Sequence, residues 1–146
     1  MIKVTEREIF DILTGKISGA INRTVLKAFA REGINITTEQ WSVLSCLWDK
    51  DKVIQTAICD LTQKDKPSVT RLIDKLEKKN LVKRASNPAD LRTNLIVLTS
   101  RGTALKKKTT EVVHSIVNHV LGSIPDDELG RAKDVLQKIM YNLEHY

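Results

Sequence analysis

The side chains best suited to chemistry lie between Pro67 and Arg92, and their types are suited to binding rather than to reaction. Ser68, Arg71 and Lys75 are three and four residues apart, so a helix would carry a hydroxyl, a guanidinium and an ammonium along one stripe. Thr70 adds a second hydroxyl beside them. Arginine can pair bidentately with guanine in a major groove, and serine or threonine can bond bases or phosphates. An ordinary amphipathic surface helix would carry the same stripe, so the stripe alone leaves both readings open. Further along, Asp90 and Arg92 sit two residues apart in a stretch rich in turn formers. An arginine at a loop tip can enter a minor groove, where narrow A·T-rich stretches attract cations. Asp90 would pair with Arg92 or with Arg84 and hold the loop. A surface ion pair of little consequence is the alternative.

No constellation for catalysis accompanies them. The chain has no Gly-rich phosphate loop and no G-x-S-x-G motif, so no enzymatic activity and no cofactor are expected. His114 and His119 are five apart, which does not put them on one helical face as the four-residue spacing of a zinc motif would. No metal site is expected. Cys46 and Cys59 stand in a chain without an apolar leader segment, so reduced thiols are expected rather than a disulfide. Buried, inert thiols are the default for such residues; a redox switch through either one is the alternative. Trp41 and Trp48, seven apart, are expected in a core, with a ligand pocket against one of them as the other reading.

Charge placement favours a polyanion. The chain carries a formal net charge of +6, but from Lys50 to Lys108 there are 15 Lys/Arg against 6 Asp/Glu, while the remainder is net acidic. A basic middle between less basic flanks is what a nucleic-acid-binding surface would produce. At 146 residues and 41% hydrophobic, the chain has the size and composition of one folded domain. No apolar run approaches the roughly 18 residues a membrane span needs, so a cytoplasmic protein with no membrane partner is expected.

The elements that must position these residues are readable from periodicity. Apolar residues at Ile9, Phe10, Leu13, Ile17, Ile21, Val25 and Phe29 predict a first helix from about Glu6 to Arg31, stopped near Gly33. Thr37 and Gln40 have capping-box spacing and open a second helix to about Trp48. A short third helix is predicted over Thr56 to Leu61. Pro67 suits a first helical position, and Val69, Leu72, Ile73 and Leu76 give the fourth helix its inward face. Asn80 follows as a residue that tolerates a left-handed stop. Leu81–Ala85 and Leu95–Leu98 then read as strands joined by a long loop, and two more helices follow, interrupted by Gly122 to Pro125. The fold class is mainly α with a small β-hairpin wing: a winged helix-turn-helix with further helices at both ends.

These residues also carry a resemblance. The runs Thr38-Glu39-Gln40-Trp41-Ser42-Val43-Leu44, Pro67 through Val82, Asp90-Leu91-Arg92 and Leu98-Thr99-Ser100-Arg101-Gly102 resemble, in order and spacing, the MarR (multiple antibiotic resistance regulator) family. The wing D-x-R followed by L-T-x-x-G is the most specific part. The resemblance implies a homodimer bound to double-stranded DNA at a pseudo-palindromic site, with 1–36 and 103–146 as dimerisation helices and 37–102 as the DNA-binding lobe. It implies Ser68, Thr70 and Arg71 as readers and Arg92 as the wing arginine; with Pro67, Lys75, Arg84 and Asp90 from the helix and loop reading above, the expected DNA-facing set is Pro67, Ser68, Thr70, Arg71, Lys75, Arg84, Asp90 and Arg92. It further implies a ligand-responsive repressor with small, often aromatic and anionic, effectors. A redox-responsive regulator, or a ligand- or protein-binding module without DNA binding, is the alternative. Where the family usually has Gly, this chain has Asn80, a mild departure because asparagine also accepts positive φ.

Overall fold

The computed structural model describes residues 5–146, so the first four residues of the 1–36 segment lie outside the described residues. The chain divides into two units, one ending at Val112 and one running Val113–Tyr146.

The first unit opens with α1 (Glu6–Asp11), capped by Thr5 and Glu8 in a reciprocal capping box. The single long helix expected to Arg31 does not form. Residues Ile12–Lys16 wind as a π-helical turn in which Gly15 has φ 143°, and α2 (Ile17–Arg31) starts beyond it. Only glycine reaches that φ without strain, so the break follows from one residue inside an otherwise helical pattern.

Helix α3 (Thr38–Asp49) begins as its capping box demands. Gln40 N donates to Thr37 Oγ1 at 3.1 Å, and Thr37 N donates back to Gln40 Oε1 at 3.2 Å. Helix α4 (Gln55–Thr62) and helix α5 (Lys66–Lys78) follow across a turn at Gln63, which holds φ 54°. The three helices enclose an aliphatic core in which Val43, Leu44, Leu47, Ile58, Val69, Ile73 and Leu76 are at most 1% exposed. Each such side chain stabilises the lobe by about 1.5–3 kcal/mol relative to an exposed one.

Strands β2 (Val82–Ser86) and β3 (Asn94–Leu98) form the expected antiparallel hairpin, with Val82 opposite Leu98 and Ser86 opposite Asn94. A third strand, β1 (Val53–Ile54), pairs on the other edge of β3, placing Val53 opposite Ile96. Two residues are too few to display alternation, so β1 left no periodic signal. Ile96, at the centre of the sheet, closes the core.

The L-T-x-x-G stretch is a junction. Thr99 Oγ1 donates to Asn80 O at 2.7 Å and accepts from Gly102 N at 3.0 Å, capping α6 (Ser100–Leu121). Trp48 Nε1 donates to Gly102 O at 3.0 Å, and its ring meets Trp41 edge-on at 6.5 Å. Both tryptophans are half-buried beside the core rather than within it, and the Trp41 indole N–H is buried without a hydrogen-bond partner.

The second unit holds the remainder of α6 and helix α7 (Asp126–Glu144). Three acids, Asp126, Asp127 and Glu128, occupy the first turn of α7 and favour its positive end. Val135, Leu136, Met140 and Leu143 of α7 are more than half exposed. In the first unit Ile9, Phe10, Leu13, Ile17 and Ile21 are likewise exposed. Among the described residues no helix is long and apolar enough to cross a membrane.

Candidate nucleic-acid interface

Helix α5 is organised from its N-terminus. Asp65 is the N-cap: its carboxylate accepts from Ser68 N at 2.8 Å and from Ser68 Oγ at 2.9 Å. The backbone bond from Ser68, then the hydroxyl bond, hold the Asp65 carboxyl below its usual range. The helix thus starts at Lys66, one residue before the proline expected to begin it. The overlooked signal was Asp65 itself, three residues ahead of Ser68. At the far end Asn80 adopts φ 56°, and Leu81 N reaches back to Leu76 O at 3.0 Å. Asparagine therefore fills the left-handed stop.

The inward face is as the spacing required: Val69, Ile73 and Leu76 are fully buried and Leu72 nearly so. The outward residues differ in how free they are. Arg71 is exposed, with one 3.3 Å bond from its guanidinium to Ser68 Oγ, and Lys75 is exposed beside it. Thr70 is more committed. Its Oγ1 accepts from Gln55 Nε2 at 2.6 Å and donates to Lys66 O at 2.9 Å. A cleft of about 280 Å³ on one side of α5 brings together Ser68, Arg71 and Lys75 with Glu39, Lys64 and Asp65.

A second cleft of about 260 Å³ lies on the wing side and brings Arg84 and Arg92 together with Gln55, Thr56, Lys66 and Asn94. The wing loop is tied by its own polar groups. Asn87 Nδ2 donates to Thr93 Oγ1 at 2.9 Å, which donates to Asp90 O at 3.0 Å; Ala89 N donates to Asn87 Oδ1 at 3.1 Å. Asp90 accepts from Arg92 N at 3.0 Å and from Arg92 Nε at 3.2 Å, while the Arg92 side chain stays 91% exposed. Of the two partners considered for Asp90, the structure selects Arg92. Arg84 goes elsewhere: its guanidinium binds Asp74 at 2.6 Å and Glu77 at 2.5 Å, both on α5. Burial alone would depress that guanidinium. The hydrogen bond to Asp74 and the charges of Glu77 and Asp74 outweigh it and raise its pKa. Sequence reasoning missed this clamp because nothing in residue spacing aligns β2 with α5.

Cys46 is half-buried, with Sγ donating to Ser42 O at 3.3 Å. Burial, and after it the charge of Asp49, push its thiol up. A raised thiol is the inert type rather than the reactive type. Among the described residues no cluster of three or more His, Cys, Asp or Glu side chains is placed to hold a metal ion.

A helix-turn-helix whose second helix exposes cations beside half-buried, hydrogen-bonded hydroxyls, followed by a sheet with a cationic loop, defines the winged helix-turn-helix class. Residues 36–93 match the MarR family. The transcriptional regulator HosA of Escherichia coli is 24% identical over 106 residues, 73% of this chain and 78% of that protein. The crystal structure of the S. aureus MepR–DNA complex superposes with a TM-score of 0.84 at 25% identity, covering 96% of this chain and 99% of that one. CouR from Rhodococcus jostii RHA1, bound to p-coumaroyl-CoA, gives 0.77 at 25% identity, covering 94% and 95%. Residues 36–93 thus carry the pattern of the MarR family, and the proteins that the chain is similar to over most of its length are transcriptional regulators.

Proposed function

We propose that the chain is a sequence-specific DNA-binding regulator acting in the cytoplasm as a homodimer on a pseudo-palindromic operator. The observation that carries this reading is that Ser68, Arg71 and Lys75 line one cleft beside α5 while Arg92, paired with Asp90 yet almost fully exposed, stands at the wing tip of the same lobe. The helix would lie in a major groove with its N-terminal residues Pro67, Ser68, Thr70 and Arg71 nearest the base edges. Arg92 would enter the neighbouring minor groove. Lys75 would meet phosphate, and Arg84 and Asp90 would hold the wing in place. The DNA-bound relative MepR supports the reading.

The exposed aliphatic faces of α1, α2 and α7 support dimerisation through segments 1–36 and 103–146, leaving 37–102 as the DNA-binding lobe. A two-fold dimer sets half-sites about one helical turn, ~10 bp, apart. The ligand-bound relative CouR supports a small aromatic or anionic effector that releases a repressor from its operator. Selection of bound sequences from random duplex DNA tests the core of the proposal. An inverted repeat should emerge and bind at least ~10³-fold more tightly than bulk DNA. If no sequence outcompetes bulk DNA at physiological salt, a ligand- or protein-binding module replaces this reading.

A further inference from the structure

The wing tip carries an apolar feature that a purely electrostatic contact does not use. Leu91, between Asp90 and Arg92, is 85% exposed. Pro88 and Ala89 beside it are exposed as well, so the tip presents a small apolar edge next to a cation. A single exposed leucine is common on protein surfaces and means nothing by itself. Here the loop leaves it no inward route. Asn87, Asp90 and Thr93 close the loop through Asp90 N to Asn87 O at 3.2 Å and Thr93 N to Asp90 O at 3.0 Å, besides their side-chain bonds. Asp90 also anchors the Arg92 backbone, so the residue on either side of Leu91 is tethered and the side chain is held outward.

We propose that Leu91 is a DNA-contacting residue that packs against the deoxyribose wall of the minor groove entered by Arg92, and that it contributes affinity without neutralising a phosphate. The inference rests on the DNA-binding reading above. The chemistry selects the occupant: the tip offers a guanidinium and an aliphatic surface side by side, and a minor groove offers negative potential between walls of sugar C–H groups. Apolar burial has no counterion term, so the contact is separable from that of Arg92 by its salt dependence.

The test is fluorescence anisotropy of the full chain on the duplex that the wild type selects, between low and moderate salt, with Leu91→Ala, Leu91→Met and Arg92→Ala compared. Covering about half of a leucine side chain predicts a loss of about four- to tenfold for Leu91→Ala. That factor should be the same at every salt concentration. Leu91→Met should keep most of the affinity, since it conserves volume. Arg92→Ala should instead flatten the dependence of log K on log salt by about one unit. Leu91 is solvent-exposed, so all variants should unfold at the wild-type temperature by circular dichroism. Wild-type affinity in Leu91→Ala, with the wild type binding normally, overturns the wing-tip contact alone. A loss in Leu91→Ala that comes with a changed salt slope, or that Leu91→Met fails to recover, also overturns it. A wild type that selects no duplex overturns both this contact and the reading it rests on.

Discussion

Arg84 on β2 and Asp74 on α5 meet at 2.6 Å, and the same guanidinium holds Glu77 one turn further along the helix. The wing is thereby fastened to the helix proposed to read DNA. Because both acids consume its charge, Arg84 should matter for placing the wing rather than for neutralising phosphate. Arg84→Ala is expected to destabilise the lobe by about 1 kcal/mol, the upper end for partly exposed pairs. It should weaken operator binding while leaving the salt slope unchanged. Urea unfolding and anisotropy titrations at several salt concentrations check this. A slope reduced by about one unit would return Arg84 to the residues that touch phosphate.

Arg71 near the N-terminus of α5 is exposed, and its guanidinium has only the 3.3 Å bond to Ser68. Thr70, by contrast, has its hydroxyl engaged by Gln55 and Lys66. Arg71→Ala should therefore relax base preference at one position of each half-site, at a cost of about 1–3 kcal/mol on the preferred base. Thr70→Val should change preference less. Sequencing the duplexes that each variant selects from a random pool gives the comparison directly. An unchanged preference for Arg71→Ala would remove it from the readers.

How far the sequence reached depended on whether a feature is local. The Thr37–Gln40 cap, the inward face of α5 and the left-handed stop at Asn80 are each set by residues within a few positions, and each was legible. Three features were not. The break at Gly15 hides within a pattern that remains helical on both sides. Strand β1 exists because Val53 and Ile54 find β3 more than forty residues later, which two residues cannot announce. The Arg84 clamp joins a strand to a helix through three charged side chains whose only sequence signature is composition. The candidate site follows the same division. Its residue types were readable, whereas which cation is free and which is engaged depended on tertiary neighbours.

Gly102 explains why a glycine ends the L-T-x-x-G stretch. A Cβ at this position would stand 2.0 Å from Leu81 O and 3.0 Å from Leu81 C. Backbone cannot swing aside as a flexible side chain would, and Leu81 O already accepts from Thr99 N at 3.1 Å. Gly102→Ala should therefore cost about 2–3 kcal/mol, in the range of overpacked sites. It should also disturb the Trp48 bond to Gly102 O, so tryptophan fluorescence during urea unfolding reports both effects. A variant as stable as the wild type would mean that α6 shifts freely against the end of α5.

The dimer prediction draws on surface that folding leaves uncovered. Leu136 and Met140 lie one turn apart on α7 and are 53% and 55% exposed. Charging them should cost the folded chain little, because they are largely hydrated within the protomer, but it should be severe for an interface that buries them. A Leu136→Lys/Met140→Glu variant is expected to sediment as a monomer with native circular dichroism. Splitting the dimer also removes the second half-site from the bound complex. Tethering two binding modules typically multiplies affinity by roughly 10²–10⁴, so operator binding should fall by a factor in that range while a single half-site is bound as before. Sedimentation as a dimer would show that α7 lies outside the interface. A monomer with full operator affinity would show that each lobe binds on its own.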